Sequence, residues 1–178
     1  MLKNAWRTHN DEREDYMADP KYPKGAEWRK WDLHVHAPTS ALNNQFSGAT
    51  VAEKWENYIQ ALEQIDDVAV LGITDYFSAQ GYSTLKEHQK EGRLPKVKLL
   101  IPNVELRLLP VTDQTNPINI HVLFSPDVAD RLETDFFQSL EFSYAGNSYK
   151  CTHNGLVSLG RSFRGDPQME EPRPIAKE

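Results

Sequence analysis

Short apolar runs alternate along the chain with segments whose apolar residues recur every three or four positions. Such alternation is the signature of strands followed by helices, and hence of an α/β fold with a parallel sheet. WDLHVH at 31–36 reads as a first strand. Thr50-Val-Ala-Glu53 forms a capping box, in which the Thr hydroxyl accepts from the Glu53 backbone and the Glu carboxylate reaches back to the cap. Behind it Val51, Trp55, Tyr58, Leu62 and Ile65 form one stripe of a helix of about four turns. VAVLGITD at 68–75 lacks alternation and reads as a strand buried on both faces. A second helix is predicted from near Ser83 to Gly92, where glycine suits a left-handed cap. Lys96 to Ile101 and Val104 to Leu109 read as two strands that Pro102 separates. Asn119 to Phe124 reads as another strand, after which Ser125-Pro126 opens a helix striped by Val128, Leu132, Phe136 and Leu140.

Outside this alternating region the pattern fades. Residues 1 to 24 mix charges with almost no apolar periodicity and read as a solvated N-terminal extension. From Arg164 to residue 178 prolines and scattered charges predict a disordered tail, which leaves 25–163 as one ordered domain. The chain has 178 residues, with 20 Lys and Arg against 26 Asp and Glu, so its net charge is −6. That balance argues against a protein that coats nucleic acid at random, while leaving room for a local basic groove. The apolar runs are too short to span a bilayer, and the N-terminus lacks the apolar core of a secretory signal. The single cysteine, Cys151, has no partner for an internal disulfide, so the expected compartment is the cytoplasm.

The chemistry-bearing residues fall at strand ends. His34 and His36 are two apart on the first strand, so both imidazoles share one face, as two ligands of one metal or of adjacent metals require. Asp75 ends the second strand, Glu105 lies in PNVEL, and His121 lies in NIHVLF. Taken singly, Asp32 and Asp75 read as caps, His121 as a core histidine and Glu105 as a solvated carboxylate. Taken together they read as a metal site, because catalytic groups of barrel-like α/β folds converge at the ends of separate strands. Arg107 shares the face of Glu105, and reads either as a phosphate clamp or as an exposed strand arginine. A mixed imidazole and carboxylate set suits Mn, Zn or Fe better than Mg. Gly155 to Ser162 almost spells a nucleotide-binding P-loop, but the polar segment before it is not the strand that such a loop requires.

DLHVH with Pro-Thr-Ser at 38–40, GITDYF at 72–77, PNVELRL at 102–108 and INIHVLFS at 118–125 resemble, in order, the motifs of the PHP (polymerase and histidinol phosphatase) superfamily. With WRKWDLHVHAPTS, LNNQF, GITDYFSAQGY and the Gly92-Arg-Leu stretch, the chain is similar to the N-terminal PHP domain of TrlF-like proteins, which precedes an SMC-like or AAA-like ATPase. The resemblance implies a distorted (β/α)7 barrel that binds two to three divalent ions at its C-terminal face and hydrolyses phosphoesters, among them nucleotides or nucleic acid. It implies metal-ligand roles for His34, His36, Glu105 and His121, and matches Asp75 to the acidic residue of the second motif. Tyr76 stands where the superfamily commonly has a further histidine, and its phenol suits donation to a phosphate oxygen or a water better than metal binding. The superfamily's late Asp-x-His pair has no counterpart, and His153 reads either as a late ligand or as a surface-loop histidine.

A metal-dependent phosphoesterase or nuclease serving a larger DNA-handling or defence ATPase is the reading these residues favour. The alternatives are a catalytically inactive PHP scaffold or sensor for such an ATPase, and a module that binds a nucleotide or sugar phosphate without turnover. Barrels commonly run to about 250 residues, so this chain is expected to hold four or five strand positions, to lack the last strands, and to leave an exposed edge.

Overall fold

VAVLGITDY, residues Val68–Tyr76, forms β2, and every residue in it except Tyr76 is buried. It takes this place because β-branched and aliphatic side chains pack on both of its faces, as a central parallel strand requires. Around it the computed structural model describes residues 28–38, 40–41, 45–108, 118–165 and 167–168. The N-terminal extension expected at 1–24 lies outside the described residues, as do Thr39, residues 42–44 of the LNNQF stretch, Leu109 and most of the C-terminal tail. Arg164, where that tail was expected to begin, is the last residue of a helix.

The elements run β1 (Lys30–His36), α1 (Val51–Glu63), β2, α2 (Gln80–Lys90), β3 (Leu99–Leu108) and β4 (Ile118–Leu123). Then come a broken helical run from Pro126 to Ser139, a hairpin of β5 (Glu141–Tyr144) and β6 (Asn147–Lys150), and α3 (His153–Arg164). The first four strands form one sheet in the order β1-β2-β3-β4, curled as a half-barrel. The fold is mixed α/β, as the alternation predicts. One pairing corrects the expected parallel sheet: β4 runs antiparallel to β3. The connection at 109–117 is shorter than the dozen or so residues a parallel crossover needs.

Three further corrections have local causes. Pro102 does not split β3, because its carbonyl accepts from Phe124 N–H just past the end of β4. N–H and C=O of one strand residue point the same way, so the N–H that proline lacks would also have faced that end, and one terminal bond of the ladder is lost. The α1 capping box forms with Thr50 accepting from Glu53 N–H, but the Glu53 carboxylate takes the N–H of Ala49, one residue before the cap. The helix after Ser125-Pro126 is a 3-10 turn, a π turn over Leu132–Phe136 and a second 3-10 turn. The π turn advances the stripe by five residues, so Phe137 rather than Phe136 is the buried partner of Leu132.

The apolar-run reading also passes over the β5–β6 hairpin, which is polar on one face. Helix α3 contains the near P-loop segment as continuous helix, with Thr152 accepting from Gly155 N–H, so no phosphate-cradling loop exists there. The Gly92-Arg-Leu stretch is structural: Arg93 donates to Glu56 and Glu63 of α1, and Glu63 accepts from Leu94 N–H. No described helix is long and apolar enough to cross a membrane.

The helices cover one face of the sheet. Ile59 and Leu62 of α1 and Tyr82 and Leu85 of α2 close over Leu71 and Ile73 of β2 and Leu100 of β3. Val104 of β3 packs with Leu132, Phe137 and Cys151. Wholly buried Ile59 and Leu85 each contribute about 1.5–3 kcal/mol of burial. With the odd-numbered side chains of β2 committed to this core, the even-numbered positions Gly72, Thr74 and Tyr76 face the other way.

At Gly72 a Cβ would lie 2.4 Å from the Leu33 carbonyl oxygen, so β1 crosses β2 there only because no side chain intervenes. Replacing Gly72 with Ala should destabilise the fold by about 1–3 kcal/mol, read as a lower urea midpoint at unchanged slope. A midpoint equal to the wild type's would show that β1 does not depend on this approach.

Candidate metal centre

The pairing of β1 with β2 advances from Asp32 to Val35 on β1 while β2 advances only from Leu71 to Ile73, so β1 carries an extra residue at Leu33–His34. Two acceptors stabilise this bulge. The Asp32 carboxylate takes the His34 N–H at 3.2 Å, and the freed Leu33 carbonyl accepts from the Asn103 side chain of β3 at 2.7 Å. The Asn103 amide also donates to Thr74 Oγ1 at 3.0 Å. With both of its protons engaged, its oxygen is left to accept from His121 Nδ1 on β4, at 3.3 Å. Asn103 is buried, so these partners satisfy a polar group that would otherwise cost 1–3 kcal/mol.

The bulge delivers His34 and His36 to the face that carries Glu105. His34 Nε2 and His36 Nε2 are 3.1 Å apart, and Glu105 Oε2 lies 3.6 and 3.4 Å from them. These three atoms form the triangle expected of donors around one cation: a tetrahedron with bonds of about 2.1 Å has edges of about 3.4 Å. Glu105 is 1 % exposed, and its Oε2 has no hydrogen-bond partner. Its other oxygen accepts from Asn119 Nδ2 at 2.6 Å, which fixes the carboxylate with the free oxygen toward the imidazoles. An orphaned buried carboxylate oxygen between two imidazole nitrogens is a donor set that a divalent ion satisfies, so the residues fit the implied metal.

The surroundings of His36 agree with ligation. Burial, opposed by the Glu105 carboxylate, holds the His36 imidazole below its ordinary value, which favours the neutral form that binds metal. His36 Nδ1 lies 3.2 Å from the hydroxyl of buried Ser40, and His121 Nδ1 meets Asn103, so each ring has an orienting partner; in the tautomer whose Nδ1 donates, Nε2 is left as a lone pair. His121 packs edge-on against His34 at 4.3 Å between ring centres, beside the triangle rather than in it.

Tyr76 and Arg107 border the triangle. The Tyr76 ring stacks on His36 at 5.3 Å, and burial, together with the Glu105 carboxylate, pushes its phenol up, so it stays a protonated donor. Arg107 donates to the Tyr76 hydroxyl and to Asn119 Oδ1, both at 3.3 Å. The guanidinium is thereby held beside the buried carboxylate without pairing to it.

Two candidate residues lie elsewhere. Asp75 sits on the helix-covered face of β2, where Oδ2 accepts from Gly81 N–H of α2 at 2.6 Å and Oδ1 is buried without a partner. Alternation along β2 puts it opposite Tyr76, so it caps a helix and does not join the triangle. A Cβ on Gly81 would lie 2.3 Å from Ala37 Cβ and 2.7 Å from Asp75 Oδ2, so glycine is what lets α2 approach so closely. His153 is exposed at the start of α3, its N–H donating to Glu133, and the structure does not bring it to the triangle.

Asn103, Asn119 and Ser40 are the functional residues that sequence reasoning missed. A signal for the first two exists: Asn103-x-Glu105-x-Arg107 and Asn119-x-His121 are polar at every second strand position, which puts each asparagine on its ligand's face. No protein-family model matches the chain, and no curated protein matches it either.

Asp75 provides a test of this two-faced arrangement. Burial pushes its carboxyl up to about 6, against a lowering pull from Gly81 N–H. A raised folded value means that its contribution to stability is fully present below about 4 and lost as pH rises through about 6. Asp75→Asn, which keeps the acceptor for Gly81, should therefore stabilise the fold at pH 8 by roughly 2 kcal/mol and change little at pH 4, by urea denaturation. A loss of stability at pH 8 would show that the ionised carboxylate is wanted there.

Proposed function

We propose that this chain is a PHP-type domain in which His34, His36 and Glu105 hold a divalent transition metal used to hydrolyse a phosphoester, nucleotides and nucleic acid included. The observation that carries the reading is the convergence of the two Nε2 atoms and Glu105 Oε2 at 3.1–3.6 Å around an orphaned buried oxygen. The curled half-barrel with helices outside and the triangle on its open face supports placing the sheet in an incomplete (β/α)7 barrel of that superfamily. A bound ion of this class lowers the pKa of a coordinated water toward neutrality and offsets charge on phosphoryl oxygens.

The chain's own residues supply the rest. Asn119 and Ser40 orient Glu105 and His36. Tyr76 keeps its proton and donates to a phosphoryl oxygen, while Arg107 supplies a fixed positive charge and a planar fork for the same group. His121, next to His34, extends the site toward a second ion; the triangle alone is a one-ion site. Mn, Zn or Fe suits this set, and the module serves a larger ATPase.

Protein purified in buffer with Mn or Zn should carry about one tightly held ion per chain by elemental analysis, and the His34→Ala/His36→Ala variant should carry almost none. Hydrolysis of p-nitrophenyl phosphate, nucleotides or oligonucleotides should fall at least 100-fold in that variant, and about 10–100-fold for Asn119→Ala, which frees the carboxylate. Hydrolysis that survives loss of both histidines would sink the proposal.

A second reading is favoured by one observation: Asp75 faces the helices, and His153 does not join the triangle, so three protein ligands come together where the superfamily gathers more. In that reading the domain holds one structural ion and acts as an inactive scaffold or sensor. Tight metal with no turnover of any of these substrates would select it.

A further inference from the structure

Among the described residues the sheet has two edges, β1 and β4, and the chain treats them differently. β1 carries Lys30 and Asp32 and is bulged at Leu33–His34. Charges and bulges are the devices that keep an edge strand from pairing with another chain. β4 has neither: INIHVL holds no Asp, Glu, Lys, Arg or Pro, and it pairs with β3 from Ile118 to Leu123 without a register shift. Val122 is its one half-buried residue, while Ile118 and Ile120 are each 40 % exposed and Leu123 is 47 % exposed. Among the described elements, β3 is the one it packs on extensively. The outer side of its backbone is also open. Phe124 N–H bonds the Pro102 carbonyl opposite it, so antiparallel alternation turns the N–H and C=O of Ile118, Ile120 and Val122 toward β3. Asn119, His121 and Leu123 turn theirs outward, where no described backbone group meets them.

We infer that β4 pairs antiparallel with β4 of a second copy of this chain, about a two-fold axis at His121. Self-complementarity selects that occupant. In this register the outward groups of His121 meet the partner's His121, and those of Asn119 meet the partner's Leu123, each pair exchanging both N–H···O bonds. On the other face Ile120 meets the partner's Val122 and Ile118 meets the partner's Phe124, apolar against apolar. A slip of one residue would set opposite faces against each other. Charge points the same way, because each copy carries −6 and two copies approach best through a strand with no formal charge. Pairing sets the partner's His121 beside the contact of His121 with His34, so each copy contributes an imidazole next to the other's candidate metal centre. The interface goes beyond the phosphoester reading and needs no metal.

The test is sedimentation velocity of the full chain in EDTA, from about 1 to 200 µM, so that failure of the metal reading has no bearing on it. One strand pair is a small interface, so a reversible dimer with a Kd on the order of 10⁻⁵ M is expected. Leu123→Pro removes an outward N–H and spares the β3 ladder, and Ile120→Lys sets a charge against the partner's Val122. Each should weaken the dimer at least tenfold. Trp31→Lys, on the exposed start of the other edge strand, should leave it unchanged. Circular dichroism confirms the fold of each variant. Under diamide, His121→Cys should give a disulfide-linked dimer, because opposed residues of a hydrogen-bonded pair have Cα atoms about 5.5 Å apart. Leu123→Cys, displaced along the strand from its own copy, should not, and Cys151 is buried away from the reaction. A chain that stays monomeric over the whole range would overturn the inference and leave the β4 edge to a strand of another polypeptide. A dimer weakened equally by Trp31→Lys, or equal cross-linking by the two cysteine variants, would overturn it as well.

Discussion

One buried carboxamide holds together the sheet face that carries the histidines and Glu105. Asn103, on β3, reaches across β2 to the Leu33 carbonyl of β1, donates to Thr74 of β2, and accepts from His121 of β4. A single side chain thus touches all four strands of the curled sheet. The contact with Leu33 exists only because Gly72 has no side chain between them, and because the β1 bulge turns that carbonyl out of the ladder. The bulge places His34 and His36, and Asn103 orients His121, so the geometry of three imidazoles descends from one amide and one missing methyl group.

The two buried carboxylates show how a shared sheet assigns different chemistry by face. Asp75 and Glu105 are both nearly inaccessible, at 2 % and 1 % exposure. Asp75 points toward the helices, where it accepts from one backbone N–H, and burial raises it. Glu105 points into the concave face, where one oxygen is anchored by Asn119 and the other meets two imidazole nitrogens. The second oxygen has no hydrogen-bond donor of its own, whereas a cation between the three atoms would satisfy all of them at once. A buried carboxylate therefore caps a helix on one side of the sheet and lies among donors that could hold a metal on the other.

Much of this was legible along the chain. The strand at 31–36, the capped α1 helix, the fully buried β2 and the strand at Asn119 all follow from apolar spacing, and the two-residue step between His34 and His36 gives their shared face. The misreadings have physical causes. Pro102 sits inside a strand because its missing donor falls at the end of the β4 ladder, and sequence does not say on which side a proline's N–H would point. Phe137 replaces Phe136 in the core because a π turn shifts the stripe, and the β5–β6 hairpin lacks the apolar signal of a core strand. The asparagines escaped notice because amide side chains usually mark turns, although their period-two placement beside Glu105 and His121 was there to read.

By itself the sequence determined the first elements in order, β1, α1, β2, α2 and the strands that carry Glu105 and His121, and which residues share a face with which neighbours on their own strand. That information is local, set by periodicity, caps and turn chemistry. It did not decide that β4 turns back against β3, that β1 gains a residue over β2, or that Glu105 rather than Asp75 faces the histidines. Those outcomes depend on inter-strand register, in particular the pairing of Tyr76 with Glu105 and of Glu105 with His121. They also depend on which side of the sheet the helices cover. A period of two fixes relative faces within a strand, but only packing between distant segments fixes which face is buried under helices and which one is left open for chemistry.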